Sequence, residues 1–208
     1  MAVTKIKGVR SLGGGKYEEL VIDGVVTANG DLEVESLDVD GVVTINGKVD
    51  SKSFVKVDGV VTLNDKLRAK TVDVDGVVTI HGNVEADKVK IDGVVNAKGQ
   101  VSADLVESHG VFSAEEVVGD KVIIHCEKRN KHIHNLFGFG RKERKDLPKI
   151  GTIEATEIDV DGIRADNLNG QNIVIGPECV VENVDCTGRL AIAPGAVVKN
   201  INGQEYKR

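Results

Sequence analysis

Four side chains of the ligand type lie close together near the middle of the chain: His125, Cys126, His132 and His134. Imidazole nitrogens and a thiolate form a set that zinc accepts, so a metal site is the sharpest chemistry these residues offer. Their spacing follows no common zinc pattern, and the residues between them are charged. The plainer alternative is that His125 finds a hydrogen bond at the mouth of a loop. A column of aspartates, Asp23, Asp40, Asp58, Asp75 and Asp92, is the second candidate. Carboxylates would suit calcium, but the Gly-Gly-x-Gly-x-Asp nonapeptide of calcium-binding β-rolls is absent. Each Asp-Gly is therefore expected at a chain corner, with glycine supplying a positive φ and aspartate a hydrogen bond to nearby backbone. Stacked carboxylates in water repel by only ~1 kcal/mol, which paired strands absorb. Neither a phosphate-binding Gly-x-x-x-x-Gly-Lys-Ser/Thr loop nor a Gly-x-Gly-x-x-Gly fingerprint occurs, and no cofactor or small-molecule substrate is expected. Cys126, Cys179 and Cys186 are an odd set without framework spacing, and they are expected as reduced thiols.

The strongest charge contrast lies in CEKRNKHIHNLFGFGRKERKDLPK, residues 126–149, which carry eight Lys/Arg against three Asp/Glu in a chain of formal net charge −6. Leu136, Phe137 and Phe139 sit between two basic groups, Lys128, Arg129 and Lys131 on one side and Arg141, Lys142, Arg144 and Lys145 on the other. An apolar tip with flanking cations suits an anionic membrane surface and equally an acidic groove on a protein partner. Nucleic acid is not expected, because the acidic remainder of the chain repels phosphate.

What must position these groups is a repeat. Asp-Gly-Val-Val begins at Asp23, Asp40, Asp58, Asp75 and Asp92, with a degraded copy at His109. With the Asp as position one, the fourth position reads Val26, Val43, Val61, Val78, Val95 and Phe112. The tenth reads Leu32, Val49, Leu67, Val84, Val101 and Val118, and the fifteenth Leu20, Leu37, Val55, Val72, Val89, Val106 and Ile123. The seventeenth runs Ile22, Val39, Val57, Val74 and Ile91 before turning polar at Ser108 and His125. Apolar residues two apart mark the inner face of a strand, so each repeat holds three short strands. That is too short for a propeller blade or a helical repeat, which need roughly 33–50 residues. At ~3.3 Å per residue such a repeat closes one three-sided turn of about 55 Å, and successive turns stack at ~4.8 Å. With 40% hydrophobic but only 3% aromatic residues, the interior must be aliphatic, and 24 glycines against three prolines fit frequent turns.

The fold expected is all-β: a single-stranded parallel β-helix of about nine coils of 17–18 residues with one loop insertion. Residues 1–19 form an N-terminal segment, partly flexible. Coils one to six occupy 20–125, the basic insertion 126–151, the C-terminal coils 152–202 and a tail 203–208. The repeat resumes in TIEATEIDVDG, with Ile153, Ala155, Ile158, Val160 and Asp161 on positions ten, twelve, fifteen, seventeen and one. Ile158, Ile175 and Ile192 are spaced by 17, and IGPECVVENV echoes IAPGAVVKNI at the same offset.

The stacked VDG-x-V phrases, the Gly-rich start and the late IGPECVVENV segment resemble the bactofilins, bacterial polymer-forming cytoskeletal proteins, and in particular their Gram-positive relatives with a long central interruption. The resemblance covers roughly residues 20–201. It implies a right-handed β-helix that assembles end to end into nucleotide-independent polymers and acts as a non-enzymatic scaffold at the membrane or cell pole, its partners being itself and whatever the basic loop engages. The basic insertion departs from the simplest members and leaves open a monomeric adaptor that binds a partner through 126–149. An acyltransferase of the left-handed β-helix type is the enzymatic alternative: Ile175-Gly176-Pro177 and Ile192-Ala193-Pro194 are faintly similar to its hexapeptides, with His132 or His134 as general base. Against it, coils one to six hold no six-residue period. The start, MAVTKIKGVRSLGGGKYEEL, lacks a signal-peptide core, so a cytoplasmic protein is expected, with membrane contact through the loop.

Overall fold

The computed structural model describes residues 2–126 and 147–206. They form a parallel β-solenoid of about nine turns, all-β and without helix. Each phrase pairs with the same phrase one turn later, as the like-with-like columns require. Val25, Val26, Thr27 and Ala28 lie beside Val42, Val43, Thr44 and Ile45. Those lie beside Val60, Val61, Thr62 and Leu63, and the series continues through Val77 and Val94 to Val111. The second side stacks Leu32, Val49, Leu67, Val84 and Val101, and the third Leu37, Val55, Val72, Val89 and Val106. Alternation puts every second side chain inward, and these inward residues are buried. Phe112 takes the valine column in the turn whose sixth position is Ala114, so the larger side chain stands where the smaller one leaves room. The void left among Leu37, Ile45, Leu63 and Val72 is only about 20 Å³, no room for a ligand.

The corner glycines are required for a reason other than the positive φ expected of them. Gly41, Gly59, Gly76, Gly93 and Gly110 do not adopt it. Instead, a Cβ built on Gly59, Gly76, Gly93 or Gly110 would lie 2.0 Å from the carbonyl oxygen of the corner glycine one turn earlier. Backbone stacks directly on backbone here, and Val60 N–H donates to Gly41 C=O at 2.8 Å, with Val77, Val94 and Val111 repeating the bond to Gly59, Gly76 and Gly93.

The register departs from the 17–18-residue step of the early turns at three places. Val101 pairs with Val117, and Val106 with Val122, because the corner between Ser113 and Glu116 is one residue shorter than its predecessor. Val117, Val122 and Ile124 are thus the inward residues, in place of Val118, Ile123 and His125. His125 moves to the corner position of the aspartate column, opposite Asp161. The turn after the insertion has 15 residues, Ile158 pairing with Ile173 and Val160 with Ile175, and the one that follows has 16 at Leu168 and Val184 before a bulge at Gly170–Asn172 restores 17 at Ile175 and Ile192. The echo of the two late phrases is kept, with Val180, Val181 and Val184 beside Val197, Val198 and Ile201.

Three boundaries also differ. Strand begins at Val3 and not at Leu20; Glu19 N–H donates to Ala2 C=O, and Ile6 is buried, so residues 2–19 form a turn beneath Leu20 and Ile22. After the insertion, strand resumes at Lys149, with Ile150 buried beside Ala114. At the C-terminus, Asn202 and Gly203, with φ of 48° and 75°, make a tight hairpin turn that folds Gln204–Glu205 antiparallel against Asn200 and Ile201.

Replacing Gly76 by Ala should separate adjacent turns and cost at least ~2–3 kcal/mol, because the obstructing atom is backbone and cannot rotate away. Gly13→Ala, where a Cβ meets nothing within 4 Å, should leave the denaturation midpoint nearly unchanged. Equal midpoints for the two variants in urea titrations would refute the stacking argument.

Candidate interaction surfaces

The ten side chains assigned to partner or membrane contact, Lys128, Arg129, Lys131, Leu136, Phe137, Phe139, Arg141, Lys142, Arg144 and Lys145, lie outside the described residues, as do His132 and His134. The root from which they spring is described. Cys126 N–H donates to Asp161 C=O at 3.0 Å, and Arg164 N–H donates to Pro148 C=O at 2.9 Å. In the following turn, Gly162 and Ile163 alone join Asp161 to Arg164, and Lys149 pairs with Arg164. Buried Pro148 therefore occupies the place of buried Ile163, and Cys126 that of Gly162. Residues 127–147 are the excess at this corner.

Of the proposed metal ligands, His125 and Cys126 are described. His125 Nε2 lies 3.0 Å from Asp159 Oδ1, the hydrogen bond that the plainer alternative expected. His109 stands one turn below, its ring centroid 6.4 Å from that of His125 and nearly perpendicular, with its Nδ1 3.5 Å from Asp92 Oδ1. The two imidazoles thus continue the aspartate column and are each matched to a carboxylate. Cys179 is buried, its thiol directed at Val160 C=O and pushed up to about 11 by burial, which leaves it an inert core group at neutral pH. Cys186 is half-buried and directs its thiol at Gln171 C=O.

The aspartate column is offset in part by two lysines of the neighbouring outward column, which reads Asp38, Lys56, Asp73, Lys90 and Glu107. Lys56 Nζ lies 2.6 Å from Asp58, and Lys90 Nζ lies 2.5 Å from Asp92. The Lys90 ammonium holds the Asp92 carboxyl below its ordinary range. Backbone hydrogen bonding by a corner carboxylate, expected for every Asp-Gly, occurs at Asp161, which accepts from Glu178 N–H at 3.2 Å, whereas Asp58 and Asp92 accept from lysines instead; on a different corner Asp31, which no glycine follows, accepts from Lys48 N–H at 3.1 Å. Asp38, Asp40 and Asp58 form the tightest group of carboxylates among the described residues, one oxygen of each lying within 4.8 Å of the others. Asp38 Oδ1 is enclosed without a hydrogen-bond partner. Burial, followed by the charge of Asp40, raises the Asp38 pKa.

Two amide ladders escape the reading of the sequence. Asn46 donates to Asn29 at 2.9 Å and Asn64 to Asn46 at 2.8 Å; further on, Asn183 donates to Asn167 at 3.1 Å and Asn200 to Asn183 at 2.9 Å. The signal was present, since Asn29, Asn46 and Asn64 keep the repeat spacing. An amide is both donor and acceptor, so a column of them satisfies itself.

Asp38→Asn tests the carboxylate group. A carboxyl whose folded pKa is raised favours the protonated state, so its ionised form costs stability above that pKa and the cost disappears as pH falls through it. The variant should melt about 1–2 °C above the parent near neutral pH, a small gain because solvent still screens this half-buried group. The difference should vanish near pH ~3, where the parent carboxyl is protonated. A variant less stable than the parent at neutral pH would show that the ionised carboxylate is a favourable partner.

No helix among the described residues is long and apolar enough to cross a membrane. Comparison with protein-family models, with curated proteins and with solved structures finds no match.

Proposed function

We propose that the chain is a non-enzymatic scaffold that assembles end to end into nucleotide-independent polymers and uses its basic segment to hold a partner or an anionic membrane surface. The observation that carries this reading is the open N-terminal edge. Residues 3–19 are strand with a neighbouring turn on one side only among the described residues, and Val3 and Val9 are 57% and 84% exposed. At the other end, Arg189, Leu190, Ala191 and Ile192 pair backward with Asn172, Ile173, Val174 and Ile175. The terminal hairpin covers Asn200 and Ile201 and does not extend over them. Among the described residues each end leaves a parallel edge unpaired, a template for another copy, and head-to-tail stacking would continue the columns. Polymerisation and cellular placement at a membrane or cell pole follow the resemblance to bactofilins.

Electron microscopy and sedimentation of the purified chain without nucleotide should show polymers at physiological salt. Val3→Lys with Leu190→Lys, one charge at each end, should return the chain to short species while its circular dichroism stays that of the parent. A parent that remains monomeric at high concentration would defeat the polymer reading.

The insertion is tested separately. Deletion of residues 127–147 with Cys126→Gly and Pro148→Ile copies the Gly162-Ile163 corner and should preserve the melting transition to within a few degrees. It should abolish binding to vesicles containing phosphatidylserine, binding that in the parent weakens as salt rises because screening shortens charge reach to about 8 Å at ~0.15 M. Retained vesicle binding would remove the basic segment from the contact, and an unfolded product would mean that the segment belongs to the fold.

A further inference from the structure

One of the three sides is built differently from the others. Over the five Asp-Gly-Val-Val turns and the copy at His109 its outward positions are Val25, Val42, Val60, Val77, Val94 and Val111 in one column and Thr27, Thr44, Thr62, Thr79, Asn96 and Ser113 in the next. No charge occurs among them. The corresponding outward column on the second side reads Glu33, Asp50, Arg68, Glu85 and Ser102, and that on the third is the Asp and Lys column described above. Burial does not account for the valines: Val25, Val42, Val60 and Val77 are 50%, 49%, 44% and 44% exposed. A flat, β-branched, uncharged stripe of this kind marks an interface.

We propose that this Val/Thr side is a lateral interface between two copies of the chain, packed face to face about a two-fold axis parallel to the solenoid. The flanking corners select both the partner and its orientation. One edge of the stripe is the aspartate column, Asp23, Asp40, Asp58, Asp75 and Asp92. The other edge carries Lys48, Lys66, His81 and Lys98 among the amides, with Asp31 and Asp65 as its carboxylates. A two-fold axis parallel to the solenoid sets each aspartate column against the lysine-bearing edge of the other copy. An axis perpendicular to it would set aspartate column against aspartate column, which repel. The self-complementary stripe with opposite edges fits a second copy of itself, the isologous contact of a two-fold pair. In the parallel arrangement a turn faces the same turn of the partner, so the valine column of one copy meets the threonine column of the other.

Six turns at ~4.8 Å by about four residues at ~3.3 Å give roughly 400 Å² of flat contact per copy, half of the ~800 Å² per partner of a standard interface. Two isolated copies therefore pair weakly, and end-stacked copies pair strongly because the stripe lengthens with each addition. The lateral contact itself does not depend on end-to-end assembly, and the test is made in the end-blocked chain carrying Val3→Lys and Leu190→Lys.

In that background, with Cys126→Ser and Cys186→Ser, single cysteines are placed at Val60, Thr62 or Val77, and pairs of variants are mixed at ~0.2 mM and mildly oxidised. The mixture of Val60→Cys with Thr62→Cys should form a disulfide-linked heterodimer at least tenfold faster than the mixture of Val60→Cys with Val77→Cys. Adding Val42→Lys and Val94→Lys, both at solvent-facing positions, should abolish the cross-link without changing the melting transition. Preferential linkage of Val60→Cys to Val77→Cys would overturn the parallel axis. Absence of any linkage, with a monomer in sedimentation, would overturn the interface, as would lysine variants that still cross-link. Filaments that fail in the parent while the end-blocked chain cross-links would defeat end-to-end assembly alone and leave this inference standing.

Discussion

Successive turns approach so closely at one corner that there is no space for a Cβ between their backbones. Gly76 lies against Gly59, and Gly93 against Gly76, with a carbonyl oxygen where a side chain would begin. That contact fixes the height of the turns from Gly24 to Gly110 at the strand-pairing distance and aligns the first residues of the following strand for hydrogen bonding. Once the corner is fixed, each side chain has its own counterpart above and below, so the sequence can only repeat by type. The aliphatic interior, the flat Val/Thr side and the charged columns are consequences of a backbone stack that tolerates no offset.

Stacking like on like has different consequences for different chemistries. Apolar columns gain burial at every turn, of the order of 1.5–3 kcal/mol for each valine, leucine or isoleucine. Asparagine columns gain too, because the donor of one amide meets the acceptor of the next. Carboxylates gain nothing from one another. The chain offsets this with Lys56 and Lys90 in the adjacent column and with His109 and His125 as the aspartate column continues. Asp38, beside Asp40 and Asp58, is the place where that compensation is least complete, as its raised pKa and its enclosed oxygen show. Ser108 is the interior counterpart: it occupies a column otherwise filled by Ile91 and Ile124, and its hydroxyl has no partner.

The solenoid was legible because the strongest signal, Asp-Gly-Val-Val at a nearly constant step, is itself the strand-pairing register. Residues 20–113 follow it without exception. Legibility failed where a corner changes length. Val117 and Val118 are both valines, as Val122 and Ile123 are both aliphatic, so apolar type could not reveal that the turn closes one residue early. The same slip carries His125 from the interior column to the corner, opposite Asp161. The N-terminal turn was hidden because Lys5, Lys7, Gly8, Arg10 and Gly13 interrupt any inward alternation, leaving Ile6 and Leu12 as isolated marks. The role of the corner glycines is not legible in the sequence for a deeper reason: a Gly that avoids a clash and a Gly that supplies a positive φ look identical in one dimension. For the basic segment, composition remains the only guide.

The position of the insertion follows from the same corner. The column beginning Gly24, Gly41, Gly59, Gly76, Gly93 and Gly110 reaches its first non-glycine at Cys126, and there the chain leaves the solenoid. A residue with a Cβ cannot repeat the stack that Gly110 makes on Gly93, where the added atom would lie 2.0 Å from oxygen. On the return, Pro148 has no N–H to offer and Gly162 adopts a φ of +70°, a corner of another kind, where a Cβ would lie 3.1 Å from the Cys126 carbonyl oxygen in place of the 2.0 Å of the earlier corners. From that turn on, corner lengths vary and the Asp-Gly-Val-Val phrase is not used again. The excursion therefore sits at the junction between two ways of turning the same corner, where stacking of one kind has stopped and the other has not begun, and where 21 further residues disturb no column on either side.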